Sequence, residues 1–176
     1  MPIGPPRIER CGVADAPLIA EVGRTTFAET YADQTDPAEM VGHLEETFDP
    51  AAIGAELSEP DSVFFVARSA DAVAGFVKVN RGAAQTELGD PAGVEIESLY
   101  VLRAFQGQGI GRLLLNRALE EARDAGAEYV WLGVWERNSR ARQFWKSMGF
   151  VEFGSHPFRF GKVMHTDLMM KRELQA

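Results

Sequence analysis

Apolar residues recur along this chain at two spacings, and each spacing predicts one kind of secondary structure. Alternating or continuous apolar runs predict seven strands, at residues 7–13, 62–68, 73–80, 94–102, 129–135, 151–160 and 165–170. Apolar positions three and four residues apart predict helices that begin near Asp15, Asp36 and Asp49, and two more over residues 110–123 and 138–148. This order of elements predicts a mixed sheet covered by helices, of the α/β or α+β class.

Length and composition indicate one domain spanning residues 1–176. Hydrophobic residues make up 45% of the chain and charged residues 25%, shares typical of a soluble globular protein. No apolar run approaches the roughly 20 residues that a membrane helix needs. The first residues do not resemble a signal peptide, and Cys11 has no second cysteine to pair with. We therefore expect a cytoplasmic protein with no membrane partner.

The net charge of −8 argues against nucleic-acid binding, because clustered Lys and Arg supply most of that affinity. The same charge suits a cationic small substrate drawn to an acidic cleft. His43, His156 and His165 have no metal-like spacing with any carboxylate, so we predict no metal site.

A glycine-rich segment, residues 103–111, joins the predicted strand 94–102 to the predicted helix 110–123. Gly107, Gly109 and Gly111 stand at alternate positions and leave no Cβ to obstruct the first backbone N–H groups of the helix. Those N–H groups have no partner inside the helix, and the helix dipole adds positive potential there. The segment therefore predicts a phosphate-binding site.

Two common phosphate motifs do not fit this segment. A nucleotide P-loop ends in Gly-Lys-Ser/Thr, whereas Gly111 is followed by Arg112 and Leu113. A dinucleotide fingerprint is Gly-x-Gly-x-x-Gly, whereas the spacing here is Gly-x-Gly-x-Gly. A plain turn between strand and helix is the remaining structural alternative, although three glycines in five residues are entropically costly for that purpose.

The pattern Gln106-x-x-Gly109-x-Gly111 resembles the coenzyme A pyrophosphate loop of the GNAT superfamily of N-acetyltransferases. A second motif similar to that superfamily follows, from Asn138 to Phe150, with Asn, Ala, aromatic and Gly-Phe positions at the expected spacings. Further segments look like the PaiA-type polyamine (spermidine/spermine) N-acetyltransferases: residues 29–31, 76–80, 95–97, 131–136 and 166–168.

The resemblance implies a GNAT fold, with a mostly antiparallel sheet of about seven strands that is splayed in its middle and flanked by helices. It also implies acetyl-CoA as cofactor, with backbone N–H groups of Leu99, Tyr100 and Val101 along the splayed strand. The other cofactor-binding residues it implies are Gln106, Gly107, Gln108, Gly109, Ile110, Gly111, Arg112, Asn138, Ala141 and Phe144.

Glu95 and Glu97 alternate on one strand, so their side chains should share a face. Acids inside an apolar strand are uncommon because an unpaired buried charge is costly. One of them is a candidate base for the amine, or a group that holds a cationic substrate. The structural alternative is that either one pairs with a Lys or Arg.

Trp145 stands where most members of the superfamily have a tyrosine that is thought to protonate the departing sulfur. An indole N–H is far too weak an acid for that step. The proton donor is then another residue, such as Tyr100 or Tyr129, or none is needed. Trp145 also belongs to an apolar stripe with Ala141 and Phe144, so we expect it both to pack in the core and to border the site.

The resemblance implies an acceptor cleft lined by Glu29, Tyr31 and Glu46, although solvated surface acids are the structural alternative. We expect an N-acetyltransferase that moves the acetyl group directly to a primary amine, with a polyamine first and another small amine or a protein amino group second. A non-catalytic acyl-CoA-binding sensor or partner module is the rival. The sequence leaves a homodimer open.

Overall fold

Seven strands form one sheet in this computed structural model, which describes residues 4–175. The strands lie in the spatial order β1-β2-β3-β4-β5-β7-β6. Their bounds are β1 Arg7–Arg10, β2 Ser62–Ser69, β3 Ala72–Arg81, β4 Gly93–Val101, β5 Tyr129–Trp135, β6 Val151–Phe160 and β7 Val163–Glu173. All neighbours are antiparallel except β4 and β5, which are parallel. The mixed, mostly antiparallel sheet predicted from the sequence is confirmed.

Five α-helices cover the sheet: α1 Ala16–Tyr31, α2 Pro37–Thr47, α3 Pro50–Ser58, α4 Ile110–Asp124 and α5 Ser139–Ser147. Asp36 and Asp49 begin α2 and α3 by accepting hydrogen bonds from backbone N–H groups of the first turn, and a proline follows each of them. None of the helices in residues 4–175 is long and apolar enough to cross a bilayer.

Each face of the sheet has its own apolar core. On one face α4 buries Leu114, Leu115 and Ala118 against the central strands, and Trp145 and Phe150 extend this core toward α5. On the other face α1, α2 and α3 pack on β2, β3 and the end of β6. Within the Leu113–Leu115 run of α4, Leu113 is 37% exposed, whereas Leu114 and Leu115 are both buried.

Most predicted strands agree with the structure to within two residues, but two differ more. The first strand ends at Arg10 rather than at residue 13, because a short 3₁₀ turn, Val13–Asp15, leads into α1. The last strand extends from Val163 to Glu173, well beyond the predicted 165–170, because it lies between β5 and β6 and pairs with both.

The sheet opens between its two parallel strands. β4 and β5 pair only where Gly93–Glu95 lie beside Tyr129–Trp131, and their later residues separate. A register shift opposite Lys78 and Val79 adds a bulge to β4 at the point where the strands part. The resulting gap lets one ligand reach the sheet from the α4 side and another from the α1 side.

Candidate active site

A cleft of about 1150 Å³ occupies this gap and continues onto the α1 face of the sheet. Single small-ligand pockets span about 300–1,000 Å³. The larger volume, together with openings toward both faces, indicates room for two ligands side by side.

The glycine segment forms one end of the cleft. Gly107 and Gly109 both have φ of +80°, which an L side chain adopts only with strain, and a Cβ at either position would project into open space. The first backbone bond of α4 runs from Leu113 N to Gly109 O at 3.2 Å, so the N–H groups of residues 110–112 have no carbonyl partner in the helix. With the guanidinium of Arg112 lining the same space, this cradle fits a diphosphate.

Gly111 and the side chains of Gln106 and Gln108 shape this cradle. A Cβ at Gly111 would come within 3.4 Å of the Phe144 ring, so this glycine allows α4 and α5 to approach closely. Gln106 donates its side-chain amide to Val101 O at 3.0 Å, and Gln108 makes a longer contact of 3.4 Å with Ala104 O. The side chains of the two glutamines are therefore used to hold the loop.

The splayed edge of β4 offers two N–H groups, not the three expected. Leu102 N donates to Ala74 O of β3 at 2.8 Å. Because alternate residues of a strand direct their N–H groups to the same neighbour, Tyr100 also faces β3 and is excluded as a donor to the gap. Leu99 and Val101 face the gap that β5 leaves open. These two positions suit a thioester carbonyl and the amide chain behind it.

α5 supplies the wall opposite the glycine segment. Asn138 caps this helix by accepting a hydrogen bond from Ala141 N at 3.2 Å. Trp145 is 6% exposed and packs edge-on against Phe144 and Phe150, with ring centroids 5.0 and 5.1 Å away. All but Phe150 also line the cleft. Trp145 therefore both packs in the core and borders the cleft, as expected.

Glu95 lies in the cleft wall but is 3% exposed and fully engaged. Its carboxylate accepts hydrogen bonds from Asn80 Nδ2 at 3.0 Å, from Thr86 N at 2.9 Å and from Thr86 Oγ1 at 2.5 Å. Glu95 thereby fixes the loop between β3 and β4. This loop is in part buried, since Gln85 is 9% exposed and its side-chain oxygen accepts a hydrogen bond from Trp131 Nε1.

Glu97 shares the face of Glu95, as expected, and pairs with a buried lysine. Lys78 Nζ bridges Glu97 and Glu56, and Asn80 Nδ2 donates to Glu97 at 2.8 Å. Burial alone would lower the pKa of the Lys78 amine, but the two carboxylates raise it above its ordinary value. Lys78 is therefore charged at neutral pH. Glu97 forms an ion pair with this lysine, which is the structural alternative considered for it above.

The two tyrosines considered as proton donors differ in position. Tyr100 lines the cleft and is partly buried, and desolvation raises the pKa of its phenol far above the usual range. Tyr129 lies outside the cleft and donates to Asp90 at 2.8 Å. Burial and Asp90 raise the pKa of Tyr129 to about 12. Only Tyr100 has a position from which it could reach the reacting atoms.

Two of the three predicted acceptor residues are in the cleft. Glu29 lines it and contacts Arg103 N at 3.2 Å. Tyr31 also lines it, with its ring 5.5 Å from that of Trp135, and burial raises the pKa of its phenol. Glu46 is exposed on the outer side of α2 and does not line the cleft, so this prediction is wrong. His43, about one helical turn before Glu46 on α2, does line the cleft.

The sequence reasoning missed a second wall, built from β5, β6 and β7. Gly133, Trp135, His156, His165 and Asp167 all line the cleft on the α1 face. Strand pairing places Asp167 between Trp135 and His156, and the rings of Trp135 and His165 meet edge to face at 5.4 Å. Gly133, Trp135 and Asp167 fall in segments that resemble PaiA-type enzymes, but no sequence motif links them to His156 and His165, since the set comes from three strands. In residues 4–175 no group of three or more potential ligands is arranged to hold a metal ion.

Comparison with known proteins gives one consistent family. Residues 25–150 match the acetyltransferase (GNAT) family. An uncharacterized N-acetyltransferase in the pepI 3′ region of Lactobacillus delbrueckii subsp. lactis is 35% identical over 168 residues, covering 96% of this chain and 97% of the relative.

Solved structures agree on the fold. PaiA N-acetyltransferase from Thermoplasma acidophilum in complex with coenzyme A superimposes with a TM-score of 0.81 at 20% identity, over 97% of this chain and 100% of that one. yncA from Salmonella typhimurium with its cofactor acetyl-CoA superimposes with a TM-score of 0.66 at 25% identity, over 98% of this chain and 95% of that one.

Proposed function

The chain belongs to the GNAT family of acetyltransferases, and we propose that its acceptor is a small primary amine carrying more than one positive charge, with a polyamine first. The enzyme is an acetyl-CoA-dependent N-acetyltransferase. Acetyl-CoA supplies the acetyl group as an activated thioester. The glycine segment, Leu99, Val101 and the start of α5 are the residues proposed to hold it.

One observation carries the choice of acceptor: the acceptor half of the cleft is acidic. Glu29, Glu87 and Asp167 line it from α1, the β3–β4 loop and β7, in addition to Glu97, whose charge is balanced by Lys78. Carboxylates in a cleft attract cations and hold ammonium groups by charge-assisted hydrogen bonds. The aromatic rings of Tyr31 and Trp135 add faces against which a cationic chain packs. A chain with several ammonium groups would use more of these carboxylates than a single amine does.

Direct transfer within a ternary complex follows from the absence of an activated nucleophile in the cleft. Cys11, the one cysteine of the chain, follows β1 at the far side of the sheet and is not among the cleft residues. Burial raises the pKa of its thiol to about 12, so it is protonated at neutral pH. The acceptor amine is therefore proposed to attack the thioester itself.

An acceptor screen tests this proposal. The enzyme is incubated with acetyl-CoA and a panel of spermidine, spermine, putrescine, a monoamine of equal length and a peptide with an uncharged side chain at its N-terminus, and the free thiol of CoA is measured. We expect kcat/KM to rise with the number of ammonium groups. A preference for the peptide or the monoamine would contradict the polyamine assignment, and binding of acetyl-CoA without turnover of any amine would favour the sensor alternative.

A further inference from the structure

We propose that His156 and Asp167 bind the acceptor ammonium above Gly133 and that His156 Nε2 takes its proton, an inference that rests on the proposed function. His156 would then be the general base of the reaction. Asp167 would position the ammonium as its counter-ion.

The floor of this site is an exposed glycine in an otherwise buried strand. Gly133 is exposed to the cleft, and a Cβ built on it would lie 3.5 Å from His156 Nε2 and 3.6 Å from Asp167 Oδ2. Gly133 lies two residues beyond Trp131, the last residue of β5 that pairs with β4. The two polar atoms therefore stand directly beside the gap that Leu99 and Val101 face from the other side.

The hydrogen bonds of His156 define which nitrogen is basic. Nδ1 lies 3.2 Å from Pro157 O and 3.7 Å from Glu87 Oε1. A carbonyl oxygen only accepts, so Nδ1 carries the proton in the neutral ring and Nε2 keeps its lone pair. Nε2 points toward Gly133 and Asp167, and the side chain is 20% exposed. The lone pair is therefore available to a ligand in the cleft.

Asp167 has a carboxylate with no strong partner. Among residues 4–175 its side chain accepts no hydrogen bond, and its ion-pair contact is His156 Nε2 at 4.0 Å. Burial raises the pKa of Asp167, with His156 and His165 opposing and Glu87 reinforcing the rise. An ammonium group between Asp167 Oδ2 and His156 Nε2 would donate to both atoms and remove the cost of burying the carboxylate.

The two glutamates expected to act as base are occupied by other partners. Glu95 accepts three hydrogen bonds and Glu97 is paired with Lys78. The charged groups near His156 are Glu87 from the β3–β4 loop and Asp167 from β7, and His165 of β7 interacts in turn with Asp167. An imidazole nitrogen with a free lone pair beside the cleft suits a base better than a carboxylate that is already paired does.

In the proposed transfer, Nε2 of His156 takes one proton from the ammonium, and the amine lone pair forms the C–N bond to the acetyl carbon. The C–S bond breaks with its electron pair on sulfur, and the second amine proton passes to that thiolate. His156 then releases its proton to solvent. One ammonium and one thioester give one amide, one thiol and one proton.

The test compares His156→Gln, which keeps size and loses the base, with Arg159→Gln as the control, because Arg159 is an exposed residue of the same strand that does not line the cleft. For the preferred amine we expect His156→Gln to lower kcat about 100-fold and to abolish the low-pH limb of the kcat profile, while the KM for acetyl-CoA is unchanged. The Arg159→Gln variant should keep that limb at its wild-type midpoint. His156→Asn serves as a second variant if His156→Gln does not fold.

Two further measurements separate the roles. Asp167→Asn should raise the KM for the amine about tenfold or more without lowering the melting temperature, because it removes a poorly solvated charge. Nitrogen NMR of the free wild-type protein should show His156 Nε2 unprotonated at neutral pH. A protonated Nε2, or a His156→Gln enzyme with wild-type kcat and pH limb, would overturn the inference while leaving the acetyltransferase proposal intact. A wild-type enzyme that turns over no amine would overturn both.

Discussion

Replacing Gly109 by Asp and, in parallel, by Asn separates charge from shape at the proposed diphosphate site. The two side chains have nearly the same size, and both tolerate the left-handed backbone conformation at φ of +80° better than most residues do. Either change should cost about 1 kcal/mol of stability. Because a Cβ at this position meets no protein atom within 4 Å, no repacking follows.

The difference between the two variants is then electrostatic. At a separation of about 6 Å, one pair of like unit charges costs about 0.7 kcal/mol at the dielectric constant of water and about 2.8 kcal/mol at that of a protein surface. For the two charges of a diphosphate this gives about 1.4–5.5 kcal/mol, or about tenfold to ten-thousandfold in the dissociation constant. The exposure of Gly109 favours the lower half of that range.

Titration calorimetry with coenzyme A measures this difference. We expect the Asp variant to bind at least about tenfold more weakly than the Asn variant, with a gap that narrows as salt is raised. Equal melting temperatures of the two variants would establish that folding is not the cause. If both variants bind coenzyme A with the same affinity at low salt, the diphosphate does not lie at the front of α4.

Further expectations concern the lysine, one histidine and the tryptophan of the site. Lys78→Met should lower the free energy of unfolding by about 2 kcal/mol in urea titrations, because Glu56 and Glu97 lose their shared cation; an unchanged midpoint would contradict this. Burial lowers the pKa of His43, with Glu46 opposing, so the neutral ring is favoured in the fold. The free energy of unfolding should therefore fall as pH drops below about 6.5, and His43→Phe should remove this part of the fall. Trp145→Tyr should keep or raise kcat in the thiol assay, whereas a collapse would show that the indole itself is required.

Local patterns predicted the backbone conformation of the glycine segment and the cap of α5. Gly107 and Gly109 indicate a tight turn because few residues other than glycine adopt a positive φ. Asn138 indicates the start of a helix because its side chain can cap the first turn. Side-chain direction was less predictable. Gln106 and Tyr100 fall in the right segments, yet one amide turns back to Val101 O and one N–H turns toward β3. Such choices depend on the neighbouring strand, which no local pattern specifies.

The acceptor half of the cleft depends on the pairing register of β5, β6 and β7. No local sequence pattern specifies that register, so this half could not be predicted from the sequence. His156 and Asp167 are opposite each other because a turn of two residues after Phe160 joins β6 to β7, and pairing from that turn fixes their register. One extra residue between the turn and His156 would place Pro157 opposite Asp167 and direct His156 to the other face of the sheet. Inserting a glycine between Pro157 and Phe158 should therefore turn His156 away from Asp167 while leaving the glycine segment untouched. We expect such a variant to bind coenzyme A with wild-type affinity in calorimetry and to lose amine turnover. Retained turnover would mean that this wall does not carry the chemistry.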